Sequence, residues 1–292
     1  MATIKNILVP TDFSEEANNA LEVAATIAQK TTAKITLLHV VDVPEVGGGN
    51  SPVTTMLGTA TTQSKDPGLF KEYMTRLLQF TKNKLNDLIQ LYPNVDIKEH
   101  VVFDSLQKHL AAFVVKNETD LIVIGSKGAS GIDEVLVGSN AEKVIRLSRV
   151  PVLTVKSKIP NFQAMNIVFA SNFKKISPKV VDWIQNAQAS FGATIHFVKV
   201  ITPNTFEATP DTQLLIRNFA EKHKFSNYTI NVFNYYTEEE GIRAFGDSIQ
   251  ADLLTLTTHG RTGIAHLMLG SIAEEVANHS TIPVLTFNQY FS

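Results

Sequence analysis

The chain has 292 residues, 44% of them hydrophobic, with 26 Lys and Arg against 28 Asp and Glu and a formal charge of -2. That balance offers no basic excess to a phosphate backbone, so a nucleic-acid partner is not expected. The chain has no cysteine, which excludes disulfides, thiolate zinc sites and a cysteine nucleophile. No apolar run approaches the ~20 residues that span a bilayer, so no membrane partner is expected either.

In chain order, residues 1–6 run straight into a strand-like stretch without a basic and then apolar leader, and a cytoplasmic chain is expected. Residues 7–9 are a short apolar run that reads as a buried strand. Ser14 stands where an N-cap is needed, with Glu15 and Glu16 in the first turn, where the helix dipole favours acid. Ala17, Ala20, Leu21, Ala24 and Ala28 form one apolar stripe at helical spacing. A second strand covers 35–41. Residues 43–68 are rich in Gly, Thr, Ser and Pro and lack periodicity, so they read as a long loop, either a lid or a spacer. A helix over 69–91, a strand over 97–103, a helix to residue 116 and a buried strand over 121–124 follow. A glycine-punctuated loop, a helix opening near Ser139 and a last strand over 151–155 complete the unit. Strands alternating with helices predict a parallel sheet of about five strands, helices on both faces, and right-handed crossovers.

The plan then returns. Residues 252–287 match 120–155 without a gap at an offset of 132, with 15 of 36 positions identical. NILVPTDF at Asn6 matches NIVFASNF at Asn166 at an offset of 160, as does AKITLLHV at Ala33 with ATIHFVKV at Ala193. The second copy is therefore 28 residues shorter between its second and third strands. Its strands are expected over 167–169, 195–200, 229–233, 253–256 and 284–287. A polar, Pro-containing stretch near 156–164 divides the chain into units 1–157 and 164–292, and its shortness predicts that the units pack together. Trp183 shares a helical stripe with Val180 and Ile184 and reads as core.

Gly125, Gly128, Gly138 and Ser139 follow the spacing G-x2-G-x9-G-S between a strand and a helix. Glycine lets a backbone approach a phosphate closely. A helix N-terminus adds free N–H donors and the positive end of a dipole. The pattern is neither a Walker loop nor the dinucleotide fingerprint. Simpler readings stand beside this one. Ser139 with Glu142, and Ser271 with Glu274, are capping boxes. Asp12 fits a turn or cap, and Gly128 and Gly131 fit a turn alone. His39 and His196 read as structural or solvated, and His259 and His266 lack carboxylates nearby in sequence for a metal site. No nucleophile elbow and no HExxH occurs, so no catalytic residue and no metal ligand is assigned.

The glycine-terminated strand, the Ser139-x-x-Glu142 helix start, the PVLTV strand and the TDF turn together resemble the universal stress protein family, twice and over nearly the whole chain. The resemblance implies a Rossmann-like α/β fold in each unit and, in the first, a site for ATP, with or without Mg. It places Pro10, Thr11 and Asp12 at the adenosine and the backbone of Val40 at the base. Gly125, Gly128, Gly138 and Ser139 fall at the phosphates, with Ile124, Ser126, Lys127 and Asn140 lining the same segment. One departure is Phe103-Asp104-Ser105, where many members turn on glycine or proline. The second copy departs further: Asn172 stands for Asp12, Ala170 for Pro10 and Thr257 for the first glycine, while Gly260, Gly270 and Ser271 remain and His259 and Arg261 adjoin them. Members also pair through their last strands, so PVLTV and PVLTF are expected to pair as an internal pseudo-dimer. A homodimer of whole chains and further protein partners stay open. Three functions follow in order: an ATP-binding stress-response sensor or regulator, a protein-interaction scaffold that needs no nucleotide, and a slow ATP hydrolase or phosphotransferase with Asp12 as its only evident base.

Overall fold

The computed structural model describes residues 4–41, 67–103, 106–126, 139–257, 271–288 and 291. The first half contains β1 (Asn6–Pro10), α1 (Glu15–Thr31), β2 (Lys34–Val41), α2 (Pro67–Gln90), β3 (Ile97–Phe103), α3 (Leu106–Lys116), β4 (Leu121–Gly125), α4 (Ser139–Leu147) and β5 (Val152–Val155). The second contains β6 (Asn166–Ala170), α5 (Pro178–Phe191), β7 (Thr194–Ile201), α6 (Thr209–Lys222), β8 (Tyr228–Asn234), α7 (Glu238–Ser248), β9 (Leu253–Thr257), α8 (Ser271–His279) and β10 (Val284–Phe287). The strand order β3-β2-β1-β4-β5-β10-β9-β6-β7-β8 makes one ten-stranded sheet. Every pairing is parallel except β5 with β10.

The central strands are apolar on both faces because helices cover both. Ile7, Val9, Leu121, Val123, Leu153 and Leu285 point to one core, which α1, α2, α5 and α6 cover. Leu8, Ile122, Ile124, Val152 and Val284 point to the other, which α3, α4, α7 and α8 cover. Each core runs unbroken across both halves, since residues of both belong to it.

Local chemistry repeats with the sequence. The Ser14 side chain accepts from the Ala17 N–H to cap α1, and Ser177 does the same for α5 with Pro178 in its first turn. Both helices end in the left-handed region, at Thr32 (φ 57°) and Gly192 (φ 64°), which occupy equivalent positions. Asp120 Oδ2 accepts from the N–H groups of Lys5 and Asn6 at 2.8 and 2.9 Å, tying the entry of β1 to that of β4. Asp252 repeats this clasp on Met165 and Asn166 at 2.9 and 2.8 Å.

The expected pairing of the two last strands is present. Leu153 faces Leu285 at the centre of the antiparallel register. The hydroxyls of Thr154 and Thr286 donate to the carbonyls of Val284 and Val152. Just beyond, Lys156 Nζ donates to the Asn278 carbonyl of α8, and Asn288 Nδ2 donates to the Arg146 carbonyl of α4, both at 2.7 Å. These are equivalent positions at the offset of 132, so the seam has an approximate two-fold axis through the Leu153–Leu285 pair.

One expectation needs amendment. Pro67 and Gly68, read as the end of the loop, belong to α2, while residues 42–66 lie outside the described residues. Helix α2 has 24 residues and its counterpart α6 has 14, so the second copy is shorter in the helix as well as before it. Proline is compatible with a first helical turn, where its missing N–H is not needed.

Candidate functional site

In the first half the strand order reverses between β1 and β4, so a crevice opens beyond their carboxyl ends. Pro10 ends β1, and a network of local bonds then fixes the turn. The N–H of Thr11 donates to the Leu38 carbonyl at 2.8 Å. The Thr11 hydroxyl accepts from the Phe13 N–H at 3.1 Å, and Asp12 Oδ1 accepts from the Ser14 N–H at 3.0 Å. These bonds hold Phe13 at φ 66°, a conformation that costs a non-glycine residue about 1–2 kcal/mol. Asp12 is thus a turn-former, and it is also exposed at the strand end beside the start of α1.

His39, which sequence reasoning set aside, supports this turn from β2. Its Nδ1 lies 2.8 Å from the Thr11 carbonyl. A carbonyl only accepts, so Nδ1 is the donor in this bond. The ring packs 4.6 Å from that of Phe13, and Lys84 from α2 places its ammonium 5.2 Å from the Phe13 centroid. The next residue, Val40, lies two positions beyond Leu38 on the hydrogen-bonding edge that faces β1. Because β1 stops pairing at Pro10, the Val40 N–H and C=O face the space past its end.

From β4 come Ile124, buried in the core, Gly125 and Ser126. The Ser126 N–H donates to the Val155 carbonyl at 3.0 Å. Its hydroxyl is buried and has no hydrogen-bond partner among the described residues. A buried polar atom without a partner is costly unless something else meets it. Lys127, Gly128 and Gly138 lie outside the described residues. Ser139 and Asn140 open α4. Because α4 connects the parallel strands β4 and β5, it runs against them and starts on the crevice side.

Gly125 has a reason of its own. A Cβ there would lie 2.7 Å from the Glu16 carbonyl carbon and 2.9 Å from the Ala17 nitrogen. The glycine lets the first turn of α1 pack on the end of β4. In the second copy Thr257 fits because α5 starts at Pro178, three residues later than the equivalent of Glu15.

The second copy builds the same turn: Asn172 Oδ1 accepts from the Lys174 N–H at 3.0 Å, and Ser171 Oγ accepts from Phe173 at 3.2 Å. Phe173 sits at φ 57°. The charge is what changes. Lys199 replaces His39, and its buried ammonium binds the Glu207 carboxylate. Lys174 reaches the same carboxylate at 3.4 Å and the Thr212 hydroxyl reaches it at 3.5 Å. Hydrogen bonding from Lys199 is the main reason the Glu207 pKa lies below its ordinary value, in spite of opposing desolvation. This internal ion pair, unforeseen because Glu207 stands in an unpatterned connection, gives the cations of the second copy a carboxylate from the chain itself. His259, Gly260, Arg261 and Gly270 lie outside the described residues, and Ser271 opens α8. No group of three or more His, Cys, Asp and Glu able to hold a metal occurs among the described residues.

The chain matches the Universal stress protein family over residues 3–156 and 235–288. It is 31% identical over 156 residues to universal stress protein MJ0577 of Methanocaldococcus jannaschii, a match covering 53% of this chain and 96% of that protein. It is 26% identical over 297 residues to universal stress protein Slr1230 of Synechocystis sp., covering 97% of this chain and all of that one. The crystal structure of a universal stress protein from Archaeoglobus fulgidus superimposes with a TM-score of 0.73 at 18% identity, covering 99% of this chain and all of that one. With the repeated Rossmann-like fold and the strand-end turns, these matches show that the chain belongs to the universal stress protein family.

Proposed function

We propose that the first half, taken as residues 1–157, binds ATP in the crevice beyond β1 and β4 and so acts as a nucleotide-responsive regulator in the stress response. The second half, residues 164–292, takes no nucleotide of its own. The observation that carries this reading is the buried Ser126 hydroxyl, left without a partner at the end of β4. Asp12 stands where a carboxylate accepts from ribose hydroxyls, and the Val40 backbone faces the space a base would take. Gly125, Gly128, Gly138 and the start of α4 at Ser139 would hold the phosphates, with Pro10, Thr11, Ile124, Lys127 and Asn140 around them. ATP supplies a charged, dissociable group whose presence biases the state of the chain. Mg, where it comes with the nucleotide, moderates that charge. In the second half Lys199 and Lys174 already share the Glu207 carboxylate as an internal partner, which supports the asymmetry.

Calorimetric titration of the stripped protein with Mg-ATP is expected to give a stoichiometry near one. Asp12→Ala removes a charge-assisted bond, commonly about 1.5–3 kcal/mol, and is expected to weaken binding about tenfold or more. Ser126→Ala is expected to weaken ATP binding while leaving the unliganded protein at least as stable, because the lost hydroxyl has no partner among the described residues. Unchanged affinity in both variants overturns the reading. No heat at all favours a protein-binding scaffold. For that reading the specific observation is the exposure of Phe206 and Tyr236, each 82% exposed, in the connections after the neighbouring strands β7 and β8.

A further inference from the structure

On the face of the sheet that α1 and α5 cover, a cavity of about 320 Å³ lies between these two helices. Its floor includes Leu153 and Leu285, the pair at the centre of the seam, and Phe162 from the segment joining the halves closes part of it. Its volume falls within the ~300–1,000 Å³ typical of small-molecule sites, which are likewise apolar with a few polar groups.

Two polar groups mark the wall. Trp183 forms part of it, and its indole N–H is buried with no acceptor among the described residues. Lys30, Ala189 and Ser190 are exposed lining residues and mark the mouth. There the Lys30 ammonium sits 5.1 Å from the centroid of the Phe191 ring, so a cation stands at the entrance to an apolar chamber.

We propose that this cavity binds a small amphipathic carboxylic acid, its apolar body over Leu153 and Leu285 and its carboxylate at Lys30. Such a ligand touches α1 and β5 of one half and α5 and β10 of the other, and therefore stabilises the seam. The site is separate from the nucleotide crevice and stands whether or not ATP binds there.

Trp183 is the single tryptophan of the chain, so its emission reports on the cavity directly. The test titrates the full chain with decanoate below its micelle concentration, with 4-phenylbutyrate and with decanol, reading Trp183 fluorescence and checking by calorimetry. A saturable change is expected with at least one acid, and the tighter acid tells whether the body is a chain or a ring. Decanol is expected to bind several-fold more weakly. Ala187→Leu, which fills the cavity, is expected to weaken binding at least tenfold, and Lys30→Met several-fold. Mg-ATP at saturation is expected to leave the titration in place. Absence of saturable binding by either method overturns the proposal, as does binding that is unchanged in both variants. Binding of decanol as tight as the acids overturns the assignment of the carboxylate to Lys30. Should Ala187→Leu fail to fold, Lys30→Met, a surface change, decides alone.

Discussion

At the scale of single residues, Gly125 shows how one side chain answers two demands. Its place after β4 fits a phosphate cradle, yet its missing Cβ faces the backbone of Glu16 and Ala17. Gly125→Ala is expected to destabilise the protein by about 1–3 kcal/mol, the usual cost of overpacking against atoms that cannot move aside. Denaturant unfolding measures this. Thr257→Gly, at the equivalent position, is expected to cost only about 0.5–1 kcal/mol, the entropic penalty of glycine in a strand. Equal losses at both positions would show that the approach of α1 is not what Gly125 serves. It follows that Ser126, not the glycine, is the position at which to test nucleotide binding without disturbing the packing of α1, since Asp12 also accepts from the Ser14 N–H at the start of that helix.

At the scale of elements, the connection between β7 and α6 does in the second copy what no connection does among the described residues of the first. It brings Glu207 over the end of β7, onto a Lys199 side chain that is only 8% exposed. Glu207→Gln is expected to destabilise by about 1–3 kcal/mol, because it leaves a buried ammonium without its carboxylate. Lys199→Met together with Glu207→Gln is expected to recover most of that loss, since no buried charge remains. A double-mutant cycle by denaturant unfolding reads the coupling. The pH dependence has a fixed sign. The Glu207 pKa is lowered in the folded chain, so its stabilisation is present above the ordinary value of 4.5 and is lost as pH falls through the folded value. The advantage of the native pair over the double variant is therefore expected to shrink in acid.

At the scale of the whole molecule, two five-stranded sheets become one through β5 and β10. The seam brings together groups that lie far apart in sequence. Desolvation, and then repulsion from Glu142, raise the pKa of Glu274, against a smaller lowering by Arg146 and with a further increase from Glu275. A carboxyl group with a raised folded pKa stabilises below its ordinary 4.5, and that contribution is lost as pH rises through the folded value. Glu274→Gln is therefore expected to raise the melting temperature near neutral pH and to match the native chain below 4.5. A melting temperature unchanged at both pH values would place the two glutamates out of electrostatic reach.

Periodicity and local capping are properties of neighbouring residues, and these the sequence determined. The strand-helix alternation, the duplication at offsets of 160 and 132, the Ser14 cap and the turn at Asp12 follow from side chains a few positions apart. The pairing of PVLTV with PVLTF followed from the family resemblance, and the order of the strands bears it out. Tertiary structure alone decided what depends on segments distant in the chain. His39 meets the Thr11 carbonyl only because β2 lies beside β1. The start of α1 against β4 fixes Gly125. Lys199 gains Glu207 because the chain turns back after β7. The chamber over Leu153 and Leu285 exists only where two helices from different halves straddle the seam. No spacing rule within one segment specifies such contacts, because their energy depends on how well surfaces fit after the chain has folded.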